Sequence, residues 1–133
     1  MTFRRIDHTA VAVKDLDEAI PRYERLYGSK CHERVLVGDQ RVEIAFIAFG
    51  DTQIELISPV DQDSGVAHFL SARGEGLHHI GMQVDDIVAE LDRLAQGGVR
   101  LIDTEARPGV HGLIAFVHPE GTGGVLLELI QPP

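Results

Sequence analysis

The chain has one cysteine, Cys31, among 133 residues, so no disulfide can form within it, and a reducing cytosol suits it. It has no apolar run approaching the roughly 18 residues that a membrane-spanning helix needs. Basic residues are scarce: 12 Lys and Arg against 21 Asp and Glu leave a formal charge of −9. Nucleic acids reward basic surfaces, so general nucleic-acid binding is excluded, whereas an anionic small molecule needs only a local positive patch or a metal. There is no low-complexity stretch, nucleophile elbow, phosphate-cradling glycine loop or zinc-ribbon pattern. Nor does the start read as a signal peptide, because Arg4 and Arg5 lead at once into a patterned strand. The expectation is a cytoplasmic protein with neither membrane nor nucleic acid as partner.

What the chain does have is a sequence said nearly twice. I-D-H-T-A-V-A-V-K-D-L at 6–16 is echoed by L-H-H-I-G-M-Q-V-D-D-I at 77–87, setting His8 opposite His79 and Asp15 opposite Asp86. I-E-L-I-S-P at 54–59 is echoed by L-E-L-I-Q-P at 127–132, setting Glu55 opposite Glu128. His8 and Glu55 are 47 positions apart, and His79 and Glu128 are 49. Halves of about 65 residues would be marginal alone, so a single domain over 1–133 is expected, with module 4–59, connector 60–75 and module 76–131.

Each module reads as βαβββ. Residues 4–14 alternate as a strand; Asp15 with Glu18 has capping-box spacing, Leu16, Ala19, Ile20, Tyr23 and Leu26 form a buried stripe, and Gly28 ends the helix. Pro21 predicts a kink or an early break. Strands follow near 32–38, 41–49 and 52–58, and the connector carries a short helix, Ser64 to Arg73. The second module repeats the order: strand 77–85, a helix from Asp86 to Gln96 with an apolar face of Ile87, Val88, Leu91 and Leu94, then strands near 99–103, 112–118 and 124–131. The fold class is α+β, two paired βαβββ modules forming a cupped mixed sheet around a metal site.

Side chains alternate along a strand, and both faces of the strands holding Glu55 and Glu128 are largely apolar. A carboxylate there is strongly penalised unless it finds an ion pair, hydrogen bonds or a metal. With two histidines at equivalent places, His8, Glu55, His79 and Glu128 form a ligand set for a divalent ion such as Co, Mn, Ni, Zn or Mg. Glu43 shares its face with Ala45, Ile47 and Phe49; apolar surroundings would raise its pKa and suit it to general-base work, against the plainer reading of an edge-strand Glu turned to water. His78 points away from His79 and reads as a packing residue. His111 and His118 are candidates for the border of the cleft, His32 and His68 read as surface residues, and Cys31 as an inert thiol.

These residues resemble the methylmalonyl-CoA epimerases of the vicinal oxygen chelate superfamily, which includes the glyoxalases, bleomycin-resistance proteins and dioxygenases. The likeness runs through R-G-E-G-L-H-H-I-G-M, P-G-V-H-G and H-P-E-G-T-G-G-V-L-L-E-L. It implies that His8, His79 and Glu128 bind the metal, that Glu55 fills the fourth position, held in relatives by Glu or Gln, and that Glu43 is a catalytic base. It also implies an acyl-CoA thioester as substrate and a homodimer. Two lysines common in the family are replaced here by Glu120 and by the Leu113–Ile114 pair, so Arg73, Arg107 or Arg41 must meet the coenzyme A phosphates if those lysines do so in relatives. The implied reaction interconverts (2R)- and (2S)-methylmalonyl-CoA, or an ethyl homologue, through an enolate, with Glu43 as one base and Glu128 as the other. The rival readings are another metal-dependent enzyme of the fold, a glyoxalase or an extradiol dioxygenase, and a metal-free binding protein of the antibiotic-sequestering kind.

Overall fold

A computed structural model describes residues 2–133. In it the first module runs β1 (Phe3–Ala12), α1 (Leu16–Tyr27), β2 (Cys31–Val37), β3 (Val42–Phe49) and β4 (Thr52–Pro59). The connector carries α2 (Gly65–Arg73), and the second module runs β5 (Gly76–Val84), α3 (Ile87–Gln96), β6 (Arg107–Gly109), β7 (Gly112–Val117) and β8 (Leu127–Gln131). The strand orders are β2-β3-β4-β1 and β5-β8-β7-β6, the same order in both modules. In each, the first strand pairs in parallel with the last, and the other pairs are antiparallel. Both modules are therefore βαβββ, as their sequences require.

By contact the chain divides into two compact units, His8–His78 and Met1–Asp7 with His79–Pro133. In the first unit Leu16 and Ala19 of α1 pack on Ala45, Ile47 and Leu56, while Val66 of α2 packs on Ala12, Val42, Ile44, Phe46 and Ile57 on the other face of the strands. In the second, Ile87 and Leu91 of α3 cover Val84, Ala115, Val117 and Leu129. The start of the chain is tied into this unit: the Asp85 N–H donates to the Thr2 carbonyl at 3.0 Å and Arg4 Nε donates to Asp85 Oδ2 at 2.7 Å.

Local expectations are corrected in several places. Pro21 neither breaks nor shortens α1; its exposed position leaves the carbonyl that lost its amide partner open to water. Asp15 caps through the Asp17 N–H at 2.8 Å rather than in a capping box, whereas Asp86 receives the Ala89 N–H at 3.1 Å. Leu26 and Val88, expected in buried stripes, are 68% and 60% exposed. Residues 99–103 make only an isolated bridge, Leu101 to Val117. The reason is Asp103, whose Oδ2 takes the Phe116 N–H at 2.8 Å in place of a ladder partner, so the strand forms instead at Arg107–Gly109. The last strand starts at Leu127, not 124, because Gly123 and Gly124 have φ of 77° and 124°, outside the strand region.

Candidate functional site

In the first unit, parallel register sets Ala10 beside Glu55 and His8 beside Gln53, so these side chains share one face. Ala10 and Ala12 are small there, which leaves room for an imidazole and a carboxylate. His8 Nδ1 lies 3.2 Å from Glu55 Oε2, with His8 1% and Glu55 7% exposed. Phe46 stands opposite Glu55 across the β3–β4 ladder. His32, expected as a plain surface residue, is exposed but joins this face, its Nε2 3.1 Å from Gln53 Oε1.

The second unit builds the same pair. Gly81 lies beside Glu128 in the parallel ladder, which puts His79, two residues earlier, on the face of Glu128. His79 Nε2 is 3.5 Å from Glu128 Oε1, with both residues buried. Phe116 stands opposite Glu128 and meets the His79 ring edge-on, centroids 5.4 Å apart at 89°. Ile114 and Ile130 extend this face, and Arg107 joins it through its register partner Ile114. The β6–β7 hairpin that positions Arg107 needs its glycines: a Cβ at Gly112 would lie 2.2 Å from the Gln131 carbonyl oxygen, and one at Gly109 would lie 2.7 Å from Ile114 Cγ2.

The donor set fits a divalent ion. Metal–ligand bonds of about 2.0–2.2 Å place neighbouring donors roughly 3.0–3.5 Å apart, the separation seen within each His–Glu pair. Each pair sets a buried carboxylate beside an imidazole, donor types that a divalent ion accepts.

Glu43 is not brought to the His8–Glu55 pair of its own unit. Register sets Glu43 beside Ser58, three residues along β3 from Phe46, so it points to the opposite face from Glu55. It is not the carboxylate in apolar surroundings expected from the sequence: Arg34 donates Nε and Nη2 to its two oxygens, each at 3.0 Å, and Nη1 to Asp17 Oδ1 of α1 at 2.8 Å. His78 stacks edge-on against Phe69, centroids 4.9 Å apart, a packing role as expected. His118 caps the turn Pro119–Thr122, its Nδ1 accepting the Glu120 N–H. Glu120, in the place of a family lysine, pairs with Arg100 at 2.9 Å. Of the three cations expected for phosphate, Arg41 pairs with Asp61 at 2.8 Å, Arg73 lies over Phe69, and Arg107 pairs with Asp103 at 3.3 Å on the face that carries Glu128.

One sequence signal of the site lies outside the His and Glu echoes. I-A-F occurs at 44–46, at once again at 47–49, and at 114–116; Phe46 and Phe116, from the first and third copies, stand opposite the glutamate of their modules. The repeat aligns the third strands of the modules and, through Ile114, places Arg107.

Residues 7–117 match the family model of the Glyoxalase/Bleomycin resistance protein/Dioxygenase superfamily, and the chain belongs to that superfamily. It is 37% identical to human mitochondrial methylmalonyl-CoA epimerase over 129 residues, covering 96% of this chain and 73% of that one. It is likewise 37% identical to the ethylmalonyl-CoA/methylmalonyl-CoA epimerase of Cereibacter sphaeroides, covering 96% of this chain and 97% of the other. A solved variant of the Streptomyces coelicolor methylmalonyl-CoA epimerase, in complex with 2-nitronate-propionyl-CoA, superposes with a TM-score of 0.94 at 33% identity, covering 98% of this chain and 96% of that one. Within the superfamily the chain is thus a member of the methylmalonyl-CoA epimerase family and has the vicinal oxygen chelate fold.

Proposed function

We infer that this protein epimerises methylmalonyl-CoA at C2, with His8, Glu55, His79 and Glu128 holding one divalent ion. The observation that carries this is the duplicated buried His–Glu pair, at 3.2 Å and 3.5 Å, in a chain of this family. His8, Glu55 and His79 form a buried group that could hold a metal, and Glu128 completes the ligand set. Bound there, the ion would supply a Lewis acid for the thioester oxygen, making the C2 proton more acidic.

The chain's own part is to exclude water and to move the proton. The apolar faces around Phe46 and Phe116 provide the dry surroundings. Glu128 presents Oε1 to His79, and we assign its other oxygen, Oε2, to the C2 proton. Inversion asks for a second proton carrier on the other side of C2. Glu43, expected in that part, accepts two hydrogen bonds from the Arg34 guanidinium and would first have to leave it.

A cytoplasmic homodimer is the assembly this reading includes, supported by the single free cysteine and by the family resemblance. Among the described residues no helix is long and apolar enough to cross a membrane. Proton NMR of methylmalonyl-CoA in deuterated buffer tests the function. Metal-dependent loss of the C2 proton signal is expected; a spontaneous rate with metal bound would reject the epimerase reading and favour a glyoxalase or dioxygenase.

A further inference from the structure

We propose that Arg107 is the residue that selects the free carboxylate of the substrate, a reading that rests on the epimerase assignment and deepens it. Four observations converge. Arg107 stands beside Ile114 in the β6–β7 ladder, and Phe116, two residues on, stands beside Glu128, so all four occupy one face. The guanidinium carbon lies 5.8 Å from the centroid of Phe116, and the far side of the chain of contacts is His79, whose ring meets that of Phe116. Asp103 fixes the arrangement from behind: its Oδ1 accepts Arg107 Nε at 3.3 Å while its Oδ2 accepts the Phe116 N–H at 2.8 Å. The Arg107 side chain is 32% exposed, sheltered enough to strengthen a charge interaction and open enough to receive an anion.

The first module shows what this position holds when no anion is served. Ile44, the counterpart of Ile114, has Val35 as its partner on β2, and Val35 packs into the apolar cluster with Ile44 and Phe46. A guanidinium thus replaces an isopropyl group at the equivalent place. In a chain with a formal charge of −9, a cation held over the Phe116 ring, on the face that carries His79 and Glu128, fits a small carboxylate that must lie near the reacting carbon. A planar fork also matches carboxylate geometry better than an ammonium group does. A coenzyme A phosphate would present the same kind of anion, so the test separates the two.

The measurement is the dissociation constant of malonyl-CoA, acetyl-CoA and free coenzyme A for the metal-loaded protein and for Arg107→Met and Arg107→Lys, by calorimetry. Malonyl-CoA carries the carboxylate and acetyl-CoA lacks it. In Arg107→Met the preference for malonyl-CoA over acetyl-CoA should fall about tenfold or more, as expected for loss of a charge-assisted pair, with acetyl-CoA and coenzyme A affinities unchanged within about twofold. Arg107→Lys should retain part of the preference, since it keeps the charge without the fork. Equal weakening toward all three ligands would transfer Arg107 to the phosphates and overturn the proposal. A lowered melting temperature with an unchanged preference would make it a structural residue only, and would also overturn it. C2 proton exchange by the unaltered protein, run alongside, keeps the two readings apart: exchange with an unchanged preference in the variants sinks the Arg107 assignment alone, while no exchange sinks the epimerase reading beneath it.

Discussion

The two βαβββ modules share strand order, parallel closing pairs, a buried His–Glu pair and an I-A-F strand that sets a Phe against the glutamate. They differ in what covers that face. In the first module the face runs into a packed cluster of Val37, Val42, Ile44, Phe46 and Ile57 under Val66, Phe69 and Leu70 of α2. In the second the corresponding cluster is only Ile114, Phe116 and Ile130 with Leu126 beside them, and Arg107 stands where the first has Val35. The two copies share the His–Glu geometry, and they diverge in that one carries an extended apolar cluster and the other a guanidinium at the equivalent place.

The largest effects should come from breaking the equivalence of the two pairs. If each pair bound its own ion, purified protein would carry two metals per chain; the shared site we propose carries one, and His8→Ala or His79→Ala alone should remove it. Metal analysis of the two variants checks this, with C2 exchange expected to fall at least a hundredfold in both. Two metals in the parent chain, or one left in either variant, would show that the pairs work separately.

A smaller asymmetry should separate the two glutamates. Glu55→Gln keeps a ligating oxygen, so metal and exchange should survive within about tenfold, whereas Glu128→Gln loses the base and should drop exchange a hundredfold or more while still binding metal. Glu43→Gln belongs with Glu55→Gln, costing about tenfold or less, because it sits on the opposite face of the sheet from Glu55 and bonds to Arg34. Comparing single-turnover exchange of the separate (2R) and (2S) thioesters sharpens the point. Loss of exchange for one enantiomer only in Glu43→Gln would return it to the role of second base.

The parts of this fold that were legible in the sequence are those where one local rule acts without competition. Alternation and the echo of I-D-H with L-H-H located β1 and β5, and Gly28 closed α1 as read. The burial of His8, Glu55, His79 and Glu128 was legible because each stands on a strand whose neighbours are apolar, and the pairs form because β1 and β4, like β5 and β8, lie side by side. What escaped was settled by partners distant in sequence. Arg34, nine residues from Glu43, converts an apparently stranded carboxylate into half of an ion pair. Asp103 captures the Phe116 amide and displaces a strand that the V-R-L-I-D run promised. Tertiary hydrogen bonds of this kind leave no periodic trace.

The smallest expected effect compares the two outer helices. Aligned from their first residues, Ala19 of α1 corresponds to Glu90 of α3; Ala19 is 1% exposed, and Glu90 is buried as well, at 5%. Burial alone would raise the Glu90 pKa, yet bonds from Arg93 Nε and Nη2 at 2.9 Å and 2.7 Å and from the Thr2 hydroxyl outweigh it and hold the carboxyl below its usual value. A group whose folded pKa is depressed adds stability at pH above its unfolded value, and that stability drains away as pH falls through the folded value. Glu90 should therefore steepen the loss of stability on the acid side, below about pH 4.5. Glu90→Gln keeps the shape and removes the titration, so its melting temperature should lie a few degrees below that of the parent at pH 7 and draw level as the pH approaches 3. A constant gap across that range would mean that Glu90 contributes packing rather than charge, and that α3, like α1, is held by its apolar face alone.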